Sequence, residues 1–435
     1  MGRKEGIKAW LERSRSLPLT VVVSIGNRDT DLSEAMGQAG HGEEAEDIPV
    51  LQEITRVLGM YSSRWMSAYF FGDLQALGAR IWEPFACLTR DELPWLQEIR
   101  TFKSLFAIPR RTHPAITASP LTSLLAEASA IRTLRTDYEP IPNMLDLPMH
   151  WRSLQEIDFF STFPSHPDPA SIISKLSTMC PSLVSLKITL LLEQRLGGPL
   201  SDPSPASHWP CLRDLRVALS IDRFTDFGVY ISQGFQRIFQ RMRAPALSSL
   251  SIQTRGSAPL PRHDPSETPL LTACLPFQNM LSQSGDVITH LTLDGIFLLN
   301  EQALERSLKL LPSLTSLRLE ECLGGRLGSL IPQLRLSSCL FFLTSSADVC
   351  PDLAQLDIVG CGFDNIDQVV SFAKARSNKL NFLSVDFGYV APDVAVKIAS
   401  LTSVHADMGM KEGIRVDWKW QETTARPGNY FMTFQ

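Results

Sequence analysis

An α/β solenoid is the fold class this sequence predicts: a curved horseshoe with a parallel sheet on its concave side and helices on its convex side. Three observations carry the prediction. A short phrase, apolar-x-x-apolar-x-apolar, recurs from Leu96 to Val385. Segments with apolar residues at helical spacing fall between its copies. No linker-like stretch interrupts the series, so residues 1–435 read as a single domain.

The last two apolar positions of the phrase flank one variable residue, which places them on the same face of a short strand. The first position lies just before the strand bends in. At the N-terminus, residues 1–25 form a cap region whose strand, PLTVVVSI around Leu19, covers a sheet end that would otherwise pair with another chain. Residues 26–48 are acidic and end in HGEEAEDIP after His41, expected as a solvated loop rather than an interaction tail. Irregular repeats then occupy 49–390. Their strands are RWMSAYFF at Arg64, LQEIRTF at Leu96, IRTLRTD at Ile131, LQEIDFF at Leu154, LVSLKIT at Leu183 and LRDLRVA at Leu212. LSSLSIQ at Leu247, ITHLTLD at Ile288, LTSLRLE at Leu314, LAQLDIV at Leu353 and LNFLSVD at Leu380 follow. Helical spacing predicts helices over PVLQEITRVLGMYS from Pro49, PASIISKLSTMC from Pro169, YISQGFQRIFQRMR from Tyr230, EQALERSLKLL from Glu301 and IDQVVSFAKARS from Ile366. A C-terminal cap and tail, 391–435, holds a last strand, IRVDWKW at Ile414.

A strand and helix of this kind cannot bury their apolar faces alone, so copies stack. The first positions of successive copies lie between 23 and 41 residues apart by the numbering. Insertions explain the spread. The Pro-rich stretches PLSDPSPASHWP from Pro199 and PLPRHDPSETP from Pro259 are expected as surface loops, because proline interrupts both ladders and helices.

Composition excludes several classes. With 44% hydrophobic and 20% charged residues the chain folds rather than staying disordered. Its 41 Lys+Arg against 46 Asp+Glu, a formal charge of −5, leave no overall footprint for nucleic acid or an anionic membrane. No apolar run approaches the roughly 18–20 residues of a membrane span, and MGRKEGIKAWLERS lacks a signal-peptide core. The eight cysteines form no CxxC pair, which fits reduced thiols in an intracellular protein, cytoplasmic or nuclear.

No catalytic motif is present: no P-loop, no G-x-G-x-x-G, no H-E-x-x-H and no G-x-S-x-G. GGRLGSL at Gly324 reads as a turn, and His113, His150, His208, His263 and His290 lack zinc-site spacing. The chain is expected to be catalytically inert, with no cofactor and no metal. Cys180, Cys322, Cys350 and Cys361 recur beside the phrase, where a small, readily buried side chain suits tight stacking. Trp65, Trp151 and Trp209 begin or precede repeats and are expected to join the strands to the layer behind them.

The phrase is that of leucine-rich repeats, and the resemblance covers nearly the whole chain as an irregular leucine-rich-repeat solenoid. WLERSRSLPLTVVVSI from Trp10, RVLGMYSSRWMSAYFF from Arg56, and the helix ends CPSL and CPDL resemble fungal, basidiomycete-type F-box leucine-rich-repeat proteins. In that family a helical F-box precedes this region and docks the adaptor of a cullin-type ubiquitin ligase. Only nine residues precede Trp10, so this chain is expected to lack the F-box and to match the substrate-facing half. The resemblance implies a monomeric protein-interaction module, the substrate-recognition part of an F-box-like ubiquitin-ligase receptor, which meets the cullin-ligase adaptor only if an F-box is supplied. A truncated or decoy scaffold without the ligase link is a second reading. A leucine-rich-repeat GTPase regulator is a third, opposed by the uneven repeat lengths.

Alternation along each strand places one variable residue per repeat on the solvent face. In order these are Arg100, Arg135, Asp158, Lys187, Arg216, Ser251, Thr292, Arg318, Asp357 and Ser384. Arg100, Arg135, Lys187, Arg216 and Arg318 are the candidate partner-binding residues, a strip suited to an acidic segment. Glu98, Glu156 and Asp214 stand in the neighbouring column and can pair with these bases, which would make the strip a solvated mosaic.

Overall fold

Each copy of the phrase is entered through a tight turn. Five such turns carry proline at their second position: Leu93-Pro94-Trp95-Leu96, Cys180-Pro181-Ser182-Leu183, Ala244-Pro245-Ala246-Leu247, Leu311-Pro312-Ser313-Leu314 and Cys350-Pro351-Asp352-Leu353. In each, the N–H of the last residue donates to the carbonyl of the first at 3.1–3.4 Å. Proline suits that second position because its ring fixes φ near the value the turn needs. The first and last residues of all five turns are buried, so the turn also anchors the chain. Of the five first residues, Cys350 alone has a left-handed backbone, φ 47°.

This computed structural model describes residues 3–24, 44–71, 83–85, 87–102, 120–136, 145, 149–161, 169–192, 206–221, 236, 238–256, 269–295, 301–320, 336–346, 348–359, 366–390, 395–396, 399 and 415–422. The chain divides into two units, one of Met1–Ser161 with Met179–Ile188 and one of Thr162–Thr178 with Thr189–Gln435.

In the first unit, β1 (Leu19–Ser24), β2 (Trp65–Phe71), β3 (Glu98–Phe102), β4 (Thr133–Thr136), β5 (Glu156–Ser161) and the start of β6 (Ser185–Leu192) follow one another in sheet order. From β1 to β5 each strand pairs in parallel with the next. One backbone device repeats. The carbonyl just after the first apolar position of a phrase accepts two successive N–H groups from the next repeat. Gln97 takes Arg132 and Thr133 at 2.8 and 3.0 Å, Arg132 takes Gln155 and Glu156 at 2.7 and 2.9 Å, and Gln155 takes Val184 and Ser185 at 2.8 and 2.9 Å. Inward residues Ala68, Phe70, Ile99, Leu134, Ile157, Phe159, Leu186 and Ile188 are buried. Behind them Phe85 meets Trp65 edge-on, with ring centroids 5.2 Å apart. Helices among the unit's described residues include α1 (Arg3–Arg13), α2 (Glu44–Gly59), which packs on α1, and α3 (Pro120–Glu127).

The second unit holds α4 (Pro169–Met179) over most of its length, and then β7 (Ser207–His208), β8 (Asp214–Ile221), β9 (Met242–Arg243), β10 (Ser249–Gly256), α5 (Pro269–Ser284), β11 (His290–Asp294), α6 (Glu301–Lys309), β12 (Ser316–Glu320), α7 (Leu336–Ser345), β13 (Gln355–Val359), α8 (Ile366–Ala375), β14 (Phe382–Val390) and β15 (Arg415–Glu422). β8, β10 and β11 to β15 pair in parallel in that order. The carbonyls of Arg213, Ser248, Thr289, Thr315 and Ala354 each accept the same pair of N–H groups, at 2.8–3.2 Å. Helices advance in step, α5 against α6, α6 against α7 and α7 against α8. Arg376, buried just beyond α8, donates to the carbonyls of Leu343, Val349 and Cys350 and so ties the end of α7 to the left-handed turn. Gly285 opens the turn before β11, where an added β-carbon would strike the carbonyl of Leu310. Gly295 ends β11 at φ 60°, a conformation open to glycine without strain.

Several expectations are modified. The helix expected from Pro49 begins at Glu44 and takes in the end of the acidic run assigned to a loop; acidic residues favour a helix N-terminus. The Pro-rich stretch from Pro199 ends in β7, which pairs with β9, so Ser207 and Trp209 are buried rather than on a surface loop. β9 occupies the last two residues of the segment read as a helix from Tyr230, because ladder pairing there satisfies the backbone instead. Residues 222–235, 257–268 and 321–335, which hold the start of that helix, most of the second insertion, and Gly324 and Cys322, lie outside the described residues, as does Cys361.

Leu186, Leu317 and Leu356 occupy the same place in their repeats and are fully buried, as the register requires. Changing any one to Ala should cost about 2–5 kcal/mol, measured by chemical denaturation; costs near zero at all three would contradict the register.

Candidate protein-interaction face

Side chains opposite the core form registered columns across the strands. In the first unit Val22, Tyr69, Arg100, Arg135 and Asp158 are successive partners, and Lys187 holds the equivalent place in β6. In the second, Arg216, Ser251, Thr292, Arg318, Asp357, Ser384 and Asp417 are successive partners. Arg100 and Arg135 are therefore immediate neighbours, whereas Ser251 and Thr292 separate Arg216 from Arg318. Ser384 departs from the solvent-facing expectation. Only 1% of its surface is exposed, and among the described residues its hydroxyl has no hydrogen-bond partner.

Every candidate cation meets a carboxylate. Arg100 Nη2 lies 2.5 Å from Glu98, Arg135 Nη2 3.5 Å from Glu156, and Lys187 Nζ 3.0 Å from Asp158. Arg216 Nε lies 3.1 Å from Asp214. Arg318 reaches Glu320 at 2.9 Å and Asp357 at 2.6 Å. Burial works against the charge on Arg318, but the hydrogen bond to Glu320 and the charges of Asp357, Glu320 and Asp294 raise its pKa. The face is charge-compensated among these residues. Exposed pairs of this kind contribute about 0.2–1 kcal/mol each, so an incoming partner exchanges them at little cost.

One polar cluster on this face centres on Glu98, which the sequence places only as a counter-charge. Its carboxylate accepts from the Tyr69 hydroxyl at 2.7 Å, the Ser67 hydroxyl at 3.3 Å and Arg100 Nε at 2.6 Å. The Arg100 guanidinium also stacks over the Tyr69 ring, 4.9 Å from its centroid. Desolvation pushes the Glu98 pKa up, but the hydrogen bonds from Tyr69 and Arg100, the Arg100 charge and the Ser67 hydroxyl outweigh it and hold the carboxyl below its usual range.

Cys180 and Cys350 stand at the buried start of their turns, and burial pushes both thiols up to about 12. A thiol raised in this way is a weak nucleophile. Among the described residues no group of three or more His, Cys, Asp or Glu side chains is placed to hold a metal ion. No described helix is long and apolar enough to cross a membrane. Trp65, Trp151 and Trp209 are all buried.

No protein-family model matches this chain, and no curated protein matches it. Among solved structures 21 chains match. One is described as the crystal structure of the Rad7 and Elc1 complex in yeast; it is similar over 71% of this chain and 73% of its own, at 15% identity and a TM-score of 0.35.

Glu98 supplies a pH test. Its folded pKa lies below the unfolded value of about 4.3, so its network stabilises the fold above that pH and the contribution is lost as pH falls through the folded pKa. Urea unfolding of wild type and Glu98→Gln between about pH 5 and pH 3 should show the steeper loss in wild type; identical pH slopes would contradict the network.

Proposed function

We propose that this chain is a catalytically inert protein-binding module that receives a protein partner on the polar face of its strand ladder. The observation that carries the reading is the registered column of polar side chains, repeated from strand to strand at a spacing of about 4.8 Å. Within each unit such a column offers an extended partner a contact from most strands, the buried Ser384 excepted. Because its candidate cations are already paired, the face selects a partner by matching a pattern of paired charges rather than by bulk attraction, which favours specificity over affinity.

The resemblance of WLERSRSLPLTVVVSI and RVLGMYSSRWMSAYFF to fungal F-box leucine-rich-repeat proteins supports a narrower assignment. On it, the chain is the substrate-recognition part of an F-box-like ubiquitin-ligase receptor, working as a monomer inside the cell, in the cytoplasm or nucleus.

The test is affinity purification with mass spectrometry, using the full chain and a variant carrying Arg135→Glu, Lys187→Glu and Arg216→Glu. The folded variant should lose at least tenfold of the partner captured by wild type. Undiminished capture would move the binding site off this face. A fusion that supplies an F-box should bring the cullin adaptor down with the partner; a partner recovered without the adaptor would remove the ligase assignment and leave the binding function.

A further inference from the structure

The turn that joins α1 to β1 reads Arg13-Ser14-Arg15-Ser16-Leu17-Pro18 and sets two serines in similar sequence but opposite surroundings. Ser14 is engaged. Its hydroxyl donates to the carbonyl of Leu11 at 2.8 Å and accepts from Arg64 Nη2 at 2.7 Å. Ser16 stands at the tip of the turn closed by the N–H of Leu17 on the carbonyl of Ser14, 3.1 Å away, and its side chain is exposed. Arg15 takes the left-handed conformation, φ 49°, that ends α1 and throws the tip outward. Arg13 and Arg15 are exposed on either side of Ser14, and Leu17, 64% exposed, and Pro18 follow in open solvent.

We infer that Ser16 is a phosphoacceptor site for an arginine-directed protein kinase. Arginines three residues and one residue before the acceptor present two fixed positive charges to carboxylates lining a kinase cleft, with bidentate geometry that lysine does not supply. The exposed turn delivers the hydroxyl without unfolding the sheet, since the ladder begins only at Leu19. In the transfer, Ser16 Oγ forms a bond to the γ-phosphorus of ATP as the bond to ADP breaks, and the hydroxyl proton passes to the kinase's base.

The fold accommodates the product. A phosphoserine carries a charge of about −1.5 to −2 at neutral pH, and the C-terminal end of a helix repels it. Here the repulsion is met by Arg13, Arg15 and a third guanidinium. Arg64 already donates through Nε to the carbonyl of Leu17 at 3.0 Å and through Nη1 to that of Leu11 at 3.0 Å, beside the acceptor. Arg64 directly precedes β2, so the charge that receives the phosphate is held by the sheet.

The native full-length chain, incubated with ATP and the catalytic subunit of cyclic-AMP-dependent protein kinase, tests the assignment by quantitative phosphopeptide mass spectrometry. Phosphate should map to Ser16. Ser16→Ala should lower incorporation into this peptide at least tenfold, while Ser14→Ala leaves it within twofold of wild type. Phosphate on Ser14, equal incorporation in Ser16→Ala, or no phosphate in the native peptide would each overturn it.

Discussion

One carbonyl receiving two successive N–H groups from the next repeat is the contact on which the rest of this structure depends. A strand that bends sharply into a sheet must leave its first amides partnered, because a buried N–H without an acceptor costs about as much as a lost hydrogen bond. The residue after the first apolar position solves this in the same way from repeat to repeat within each unit. Its carbonyl has two lone pairs and uses both. The contact locks each strand to its predecessor by one residue and no other. A slip of one residue would turn every buried Leu, Ile and Val outward.

From that register follow both faces of the ladder. The inward column takes mostly apolar side chains, from Ala68 to Phe159, with Thr101 and Thr136 buried among them, and the preceding turn takes a residue that tolerates burial, such as Cys180 or Cys350. The outward column is free to vary, and it has become a set of short-range charge pairs. Cross-strand pairing of Arg318 with Asp357, and same-strand pairing of Arg100 with Glu98, leave little uncompensated charge on the candidate cations. On the proposed function, this charge-paired face is the ordered pattern that a partner would meet.

The long strands were legible because period-two alternation and the leading leucine are local signals, so even the outlying segments at Leu19, Trp65 and Arg415 could be placed. Helices at Pro120, Pro269 and Leu336 were not. α5 carries Pro276 and α7 is apolar on nearly all sides, which blurs the helical period. The two-residue strands β7 and β9 are too short for any period, and their pairing is a tertiary contact. On the candidate face, the column itself could be read from alternation, but the partners of each cation could not. Tyr69 comes beside Arg100 only through the register of β2 on β3, which brings residues 31 positions apart into contact. Burial of Ser384, and the anchoring of Arg376 on three carbonyls, likewise depend on how neighbouring repeats close over them.

The most direct test of the shared carbonyl is hydrogen exchange of the amides that converge on it. His290, Ser316 and Gln355 have side chains that reach solvent, yet their N–H groups point at the carbonyls of Ser248, Thr289 and Thr315. The account predicts that these amides, with those of Thr289, Thr315 and Ala354, exchange as slowly as the amides of the fully buried Leu317 and Leu356 and are released only when the unit unfolds. Exchange of the convergent pairs at the rate of open turns, with Leu317 and Leu356 still protected, would contradict it.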